Sequence, residues 1–402
     1  MNVAVSSPDL RDTMHRIAIL VEYPTVNGGE NSMLAVLSHL LGNKSPETGL
    51  EFCVLGPTQG AMADRVSAMG VPIFELNLFD DSGLRLPRER SIPRLLAAAQ
   101  LSGANLVHSN SLSMGRLLGA ASRARPQFVA TSHLRDIMKL SRAAISDLNA
   151  NRQLIAVSDA TLAFHVGQGL DEAVGAVIHN GIDADVFAAE ESAGLRIRRE
   201  LGIPEDAVVL LTVGQVGLRK GLDTLAEVAR RLVDLRPGIH WLLAGERFSQ
   251  KAESVEFEAR VLREFSACSP TVKLHRLGYR EDIPELMRAS DLLVHGARQE
   301  PLGRVLLEAA ASRLAIVATD VGGTGEIICH NESGMLAPVD SSEAITAAIV
   351  RLIDDKSLRE QLAASAHLKI RSDFGIAKSA ESLVKVWKSV ISAAESDCSS
   401  GA

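Results

Sequence analysis

Short apolar runs rich in β-branched residues alternate along the chain with longer stretches whose apolar positions follow helical spacing. Runs at 16–21, 50–55, 72–76, 105–108, 127–131, 153–157 and 173–178 predict seven strands; runs at 208–213, 240–244, 272–277, 292–295 and 315–318 predict five more. Most are apolar at nearly every position, as strands are when both sheet faces are covered. Such alternation predicts βα units and parallel sheets. Between the two series lies HNGIDADVF, at 179–187, whose Asn-Gly signals a turn, and then the polar stretch AAEESAGLRIRRELGIPEDA. That shift predicts an α/β protein of two domains, 1–187 and 188–375, with a ligand cleft between them. Three helices should close the chain. The last, over 376–394, carries Leu383, Val384, Trp387, Val390 and Ile391 on one stripe and is expected to pack back on the first domain.

Composition narrows the function classes. The 402 residues are 46% hydrophobic, so two real cores are affordable without metals or disulfides. A net charge of −7 and 3% aromatic residues argue against a nucleic-acid partner, for want of a basic face and a base-stacking platform. Cys53, Cys268, Cys329 and Cys398 form no CxxC pair, which points to reduced, cytoplasmic usage. Residues 1–14 read as a disordered leader without a signal-peptide apolar core, and 396–402, SDCSSGA, as a disordered tail. No His or Cys cluster has metal-ligand spacing, so no metal is expected.

Candidate chemistry gathers where strands end. The strand DLLVHG runs into Gln299-Glu300-Pro301-Leu302-Gly303-Arg304, and a helix beginning near Leu302 or Gly303 carries Glu308. The free N–H groups of such a helix start attract an anionic oxygen. A following strand opens into Val321-Gly322-Gly323-Thr324-Gly325-Glu326. Upstream, VGQVGLRKGL places Gly214 and Gln215 after a strand, then Arg219 and Lys220 at a helix start, a second anion site. Gly278 and Tyr279 follow another strand, and Asp282 is expected to cap the next helix. In the first half, Gly28 and Gly29 form a turn into a helix, and His133 follows the strand FVATS at the sheet edge where ligands bind. Ser158 reads as a helix cap. Residues 80–142 hold ten basic residues against four acidic, which suits an anionic acceptor or membrane surface, or is simply a solvated face.

With Glu300, Glu308, Ala309, Ala311, Gly322, Gly323 and Glu326 in this order, the sequence resembles the family 4 glycosyltransferases, which have the two-domain GT-B fold of facing Rossmann-like sheets. It departs from their pattern at Arg313, which replaces a Gly, at Gly325, which replaces a Pro, and at Gln215, where an Arg is usual. The resemblance implies a retaining, metal-independent transfer from a UDP-, GDP- or ADP-sugar to a hydroxyl acceptor, with no permanently bound cofactor. It implies Lys220, with Arg219 as substitute cation, on the diphosphate and Glu308 on the ribose. Glu300 and His133 would stand by the sugar. The amides of Leu302, Gly303 and Arg304 would reach sugar or phosphates, Gly278 and Tyr279 the base, and Gly28 and Gly29 the phosphate and acceptor. The acceptor would be a saccharide, a lipid-linked sugar or a small molecule, anionic in one reading, with the enzyme cytoplasmic or peripheral to the inner membrane face. Rival readings are a nucleotide-sugar 2-epimerase, a glycoside hydrolase using Glu300 and Glu308, and a non-catalytic nucleotide-sugar binder.

Overall fold

A computed structural model describes residues 14–42, 49–188 and 190–400. The predicted leader, Met14 apart, therefore lies outside the described residues. The first half forms a seven-stranded parallel sheet from β1 (His15–Leu20), β2 (Leu50–Gly56), β3 (Ile73–Glu75), β4 (Leu106–Ser109), β5 (Ala130–Leu134), β6 (Gln153–Ala156) and β7 (Gly175–Val177). Each of the first six is followed by a helix: α1 (Gly28–Gly42), α2 (Ala61–Ala68), α3 (Arg88–Ser102), α4 (Leu112–Ala124), α5 (Arg142–Leu148) and α6 (Asp159–Val166). After α7 (Glu191–Glu200) comes a six-stranded sheet of β8 (Val209–Val213), β9 (Ile239–Ala244), β10 (Val272–Gly278), β11 (Leu292–His295), β12 (Ala315–Thr319) and β13 (Met335–Ala337). Its crossovers are α8 (Leu222–Leu235), α9 (Ala252–Ser266), α10 (Ile283–Arg288), α11 (Arg304–Ala311) and α12 (Thr324–Ile327); α13 (Ser342–Asp354), α14 (Lys356–Asp373) and α15 (Ile376–Ser400) close the chain.

The strand orders are β3-β2-β1-β4-β5-β6-β7 and β10-β9-β8-β11-β12-β13. Order reverses between β1 and β4 in one sheet and between β8 and β11 in the other. At such a switch point adjacent loops leave the sheet in opposite directions and open a crevice for a ligand. The Gly28-Gly29 turn follows β1, the Lys220 loop follows β8 and the Glu300 loop follows β11, so the sequence motifs flank the two switch points.

α15 belongs with the first sheet. Its Ile376, Ala380, Leu383, Trp387, Val390 and Ile391 share one buried cluster with β1, β2 and α1 residues such as Ile17, Val54 and Met33. The chain crosses back beside its earlier passage, where Ile182 N–H donates to Phe374 O at 2.8 Å and Ile376 N–H donates to Ile182 O at 3.0 Å.

Several local expectations are corrected. β13 was not anticipated, because its three residues lie between Gly334 and Pro338, which read as a turn. α15 continues to Ser400 rather than ending in a disordered tail at 396. β5 begins later and extends further than its apolar run, since His133 pairs in register with Ile155 of β6; His133 is inside the strand rather than beyond it. Asp282 makes no cap bond to α10, because its carboxylate is held by Arg280 at 2.7 and 2.5 Å.

Candidate functional site

Lys220 lies at the end of a single 3₁₀ turn after β8, and Gly221 beside it has φ 62°. A Cβ at Gly221 would stand 1.9 Å from the Gly296 carbonyl, so only glycine lets the β8 and β11 loops approach this closely. The approach delivers Lys220 Nζ to Glu300 Oε2 at 2.6 Å, and His295, the last residue of β11, to the same oxygen at 2.8 Å. Because a carboxylate only accepts, His295 Nε2 carries the proton. Burial alone would raise the Glu300 carboxyl; the Lys220 charge and the His295 hydrogen bond overcome it and hold the group well below the usual carboxylate range. Burial and the Lys220 charge lower His295, which stays neutral. The backbone of Glu300 is fixed as well. Its carbonyl accepts from Gly323 N–H at 3.0 Å, and Gly322, at φ 55°, lies so close that a Cβ there would be 2.0 Å from that carbonyl.

α11 begins at Arg304, with Gly303 at φ 105° preceding it and Leu302 buried in the core beneath. Arg304 Nε donates to Glu308 Oε1 at 2.7 Å, and its Nη1 donates to Ser32 Oγ of α1, in the other domain, at 3.0 Å. Burial raises the Glu308 carboxyl, with Arg304 opposing. Gly214 packs against the Lys220 stem. Gln215 sits in the same loop. Gly278 ends β10, and the Tyr279 amide donates to Glu246 Oε1 at 3.2 Å while its ring is exposed, at the outer end of this sheet edge.

Across the cleft, Asn110 after β4 donates to the Gly29 carbonyl at 2.9 Å and accepts from Arg135 Nε at 2.9 Å. His133 is 2% exposed, and its Nδ1 meets His108 Nε2 at 2.8 Å; His108 Nδ1 meets Thr131 Oγ1 at 2.8 Å. Burial, with the Arg135 charge second, lowers both imidazoles, His108 to about 3. At neutral pH His133 is thus an uncharged hydrogen-bonding group.

The domains are clasped together. Glu326 accepts from Asp159 N–H and Ala160 N–H, each at 3.0 Å, and from His179 Nε2 at 2.7 Å, so it caps α6 from the opposite domain. Asp159, His179 and Glu326 are also the one group among the described residues with ligand atoms spaced for a metal, within 4.8 Å. Ser158 Oγ donates to the Pro301 carbonyl at 2.5 Å while capping α6. Gln299 Nε2 donates to the Ile137 carbonyl. Arg219, paired with Lys220 in the sequence reading, points across the cleft to Asp136 at 3.2 Å instead. Of the ten basic residues at 80–142, Arg88 and Arg123 both pair with buried Asp147, and Arg85 pairs with Glu22 at 3.2 Å, so part of that charge is internal.

His295 and Arg135 are central here yet were not singled out as site residues. Each had a signal: His295 ends a strand that opens into Glu300, and Arg135 stands two residues beyond His133. Arg304, named in the sequence for its amide, also brings a guanidinium that joins Glu308 to Ser32.

Two family descriptions match the chain: "Glycosyltransferase Family 4" over 26–186 and "Glycosyl transferases group 1" over 195–369. Among curated relatives, the lipopolysaccharide core biosynthesis mannosyltransferase LpcC of Rhizobium leguminosarum bv. viciae is 30% identical over 54% of this chain and 60% of its own. LpsE of Rhizobium meliloti, a lipopolysaccharide core biosynthesis glycosyltransferase, is 28% identical over 44% of this chain and 48% of its own. The chain spans about half the length of the curated relatives it matches. Among solved structures, Anabaena Alr3699/HepE in complex with UDP and glucose superposes with TM-score 0.80 at 21% identity, over 93% of this chain and 99% of that one. Sucrose-phosphate synthase from Thermosynechococcus elongatus gives 0.75 at 20% identity, over 94% and 100%. The fold is GT-B.

Proposed function

Since the chain belongs to the family 4 glycosyltransferases, we propose that it moves a sugar from a nucleotide diphosphate sugar to a hydroxyl acceptor, with the anomeric configuration retained. The observation that carries this reading is the 2.6 Å contact between Lys220 Nζ and Glu300 Oε2 at the β8/β11 switch point, beside the start of α11. An ammonium has three donors. One holds Glu300, and two remain for the oxygens of a departing diphosphate, where negative charge develops as the glycosidic bond breaks. Glu300, kept ionised, accepts hydrogen bonds from sugar hydroxyls and orients the ring. Glu308 accepts from the ribose, and neutral His133 from the sugar on the acceptor side. A donor phosphate oxygen takes the acceptor proton, so no side-chain base is required. The lipopolysaccharide core relatives favour a saccharide or lipid-linked acceptor, and the UDP-bound neighbour favours a nucleotide diphosphate donor. Buried free thiols at Cys53 and Cys268 suit a cytoplasmic site of action. No helix among the described residues is long and apolar enough to cross a membrane.

A thermal-shift screen with UDP, GDP and ADP tests the donor half. Ligand at one hundred times its Kd stabilises by about 2.7 kcal/mol, a shift of several degrees. One nucleotide should raise the melting temperature clearly. No shift with any of the three would remove the donor site.

A further inference from the structure

The crevice at the switch point of the first sheet lies between the loops after β1 and β4. Glu22 and Tyr23 stand on the first of these loops, just beyond Leu20, and Ser113 stands in the first turn of α4, just past the second. Glu22 is 8% exposed. Arg85 Nη1 lies 3.2 Å from its Oε1, but without hydrogen-bond alignment, and Oε1 has no hydrogen-bond partner among the described residues. A buried carboxylate oxygen normally accepts a hydrogen bond, so this one has acceptor capacity left over. Arg85 reaches in from the loop after β3, and its Nη1 donates to Ser113 Oγ at 2.6 Å. Its Nε and Nη2 make no hydrogen bond among the described residues. Acceptor and donor capacity thus face the same crevice from one ion pair.

A second observation is independent of that pair. Tyr23 is 51% exposed, and its ring lies 5.4 Å from that of Phe79, tilted by 38°. Burial, then the Glu22 charge, raises the Tyr23 phenol, so its hydroxyl stands beside that carboxylate. Leu84, next to Arg85, is 67% exposed. The turn that carries Phe79, Leu84 and Arg85 is fixed in shape: Phe79 bridges to Arg85, and Asp80 Oδ1 accepts from the N–H groups of Ser82 and Leu84, each at 3.0 Å. The aromatic surface is therefore in place before any ligand arrives. An aromatic face beside a carboxylate and a guanidinium matches a sugar ring. The C–H face of the sugar covers the aromatic, and a hydroxyl, donor and acceptor at once, gives to Glu22 and takes from Arg85. A charged group suits the pair less, since an anion meets Glu22, a cation meets Arg85, and either must break the pair.

We propose that Tyr23 and Phe79 form a stacking platform, and Glu22 with Arg85 a hydroxyl clamp, for an uncharged sugar ring of the acceptor. In naming the ligand the acceptor, the proposal rests on the function proposed above. Among the acceptor classes open from the sequence, it selects an uncharged saccharide over an anionic one.

Saturation-transfer NMR on the full chain tests this, with and without UDP, GDP or ADP. The probes are the methyl glycosides of glucose, galactose and mannose, and those of their uronic acids and 2-amino sugars. At least one neutral glycoside should bind, about tenfold or more tighter than its charged counterparts, the scale of one charged hydrogen bond. Tyr23 is exposed, so Tyr23→Ala leaves the core intact. That variant should weaken the glycoside about tenfold, while Tyr23→Phe, which keeps the ring, holds it within about threefold. Glu22→Gln should erase the discrimination against the uronate. Equal binding of neutral and charged glycosides, or wild-type affinity in Tyr23→Ala, overturns the proposal. So does the absence of any glycoside binding, with or without nucleotide. Failure of the donor reading looks different: a neutral glycoside binds with the same dependence on Tyr23, and no nucleotide diphosphate binds.

Discussion

Glu300 is ionised in a place where an isolated carboxylate would take up a proton. Its charge survives because Lys220 and His295 meet the same oxygen. Lys220 precedes Glu300 by eighty residues and His295 precedes it by five. Lys220 and Glu300 were legible from their positions after strands and from a motif resemblance; His295 and Arg135 were not, although each stands within a few residues of one that was, because the direction in which a side chain points leaves no mark in local spacing. The buried His108–His133 pair gives a residue-scale prediction. Burial holds both imidazoles below their ordinary value, so the unfolded chain binds more protons than the folded one in acid. The His108 contribution is present above about pH 6.5 and is lost as pH falls from there toward about 3, at up to roughly 1.4 kcal/mol per pH unit, and His133 acts in the same direction. The urea midpoint of the wild type should fall over that window, and that of His108→Gln should fall less steeply. Parallel curves would show that the pair is not the acid-sensitive group.

Among elements, the strands buried on both faces were legible from their apolar runs, and the last helix from its stripe. Two pieces were not: β13 is hidden between Gly334 and Pro338, and the polar half of β5 is strand because β6 pairs with it. The clasp on α6 was also illegible, since its cap Glu326 comes from a distant helix. Glu326 is held below its ordinary pKa: burial would raise it, but His179 and the amides of Ala160 and Asp159 prevail. Glu326→Gln should therefore lower stability at neutral pH by about 1 kcal/mol, the scale of a lost cap. The gap to wild type should close as pH drops through the lowered carboxyl pKa, where wild type too becomes protonated. A gap that persists at low pH would assign the loss to packing instead. The Glu300 loop depends on Gly322 in another way. Gly322→Ala places a Cβ 2.0 Å from the Glu300 carbonyl at φ 55°, so the loop must shift. Turnover should fall at least tenfold while the nucleoside still binds; full turnover would show that the loop position is not critical.

At the scale of the molecule, two parallel sheets present their switch points to one another, and α15 returns to tie the end of the chain to the first sheet. That arrangement puts the Lys220–Glu300 pair and α11 on one wall and the α1 turn, Arg135 and His133 on the other. Bonds from Gln299, Arg219, Arg304 and Glu326 hold the walls together, so the site is assembled by both domains. The central claim is that this cleft breaks the bond between a sugar and a nucleotide diphosphate with Lys220 on the leaving group. The most direct measurement is release of nucleotide diphosphate from a panel of UDP-, GDP- and ADP-sugars, in the presence of sugar and lipid-linked acceptors, by wild type and Lys220→Ala. The prediction is release from one donor with an acceptor present, falling at least tenfold in a folded Lys220→Ala. Release at the wild-type rate by Lys220→Ala, or none from any donor with any acceptor, would contradict it.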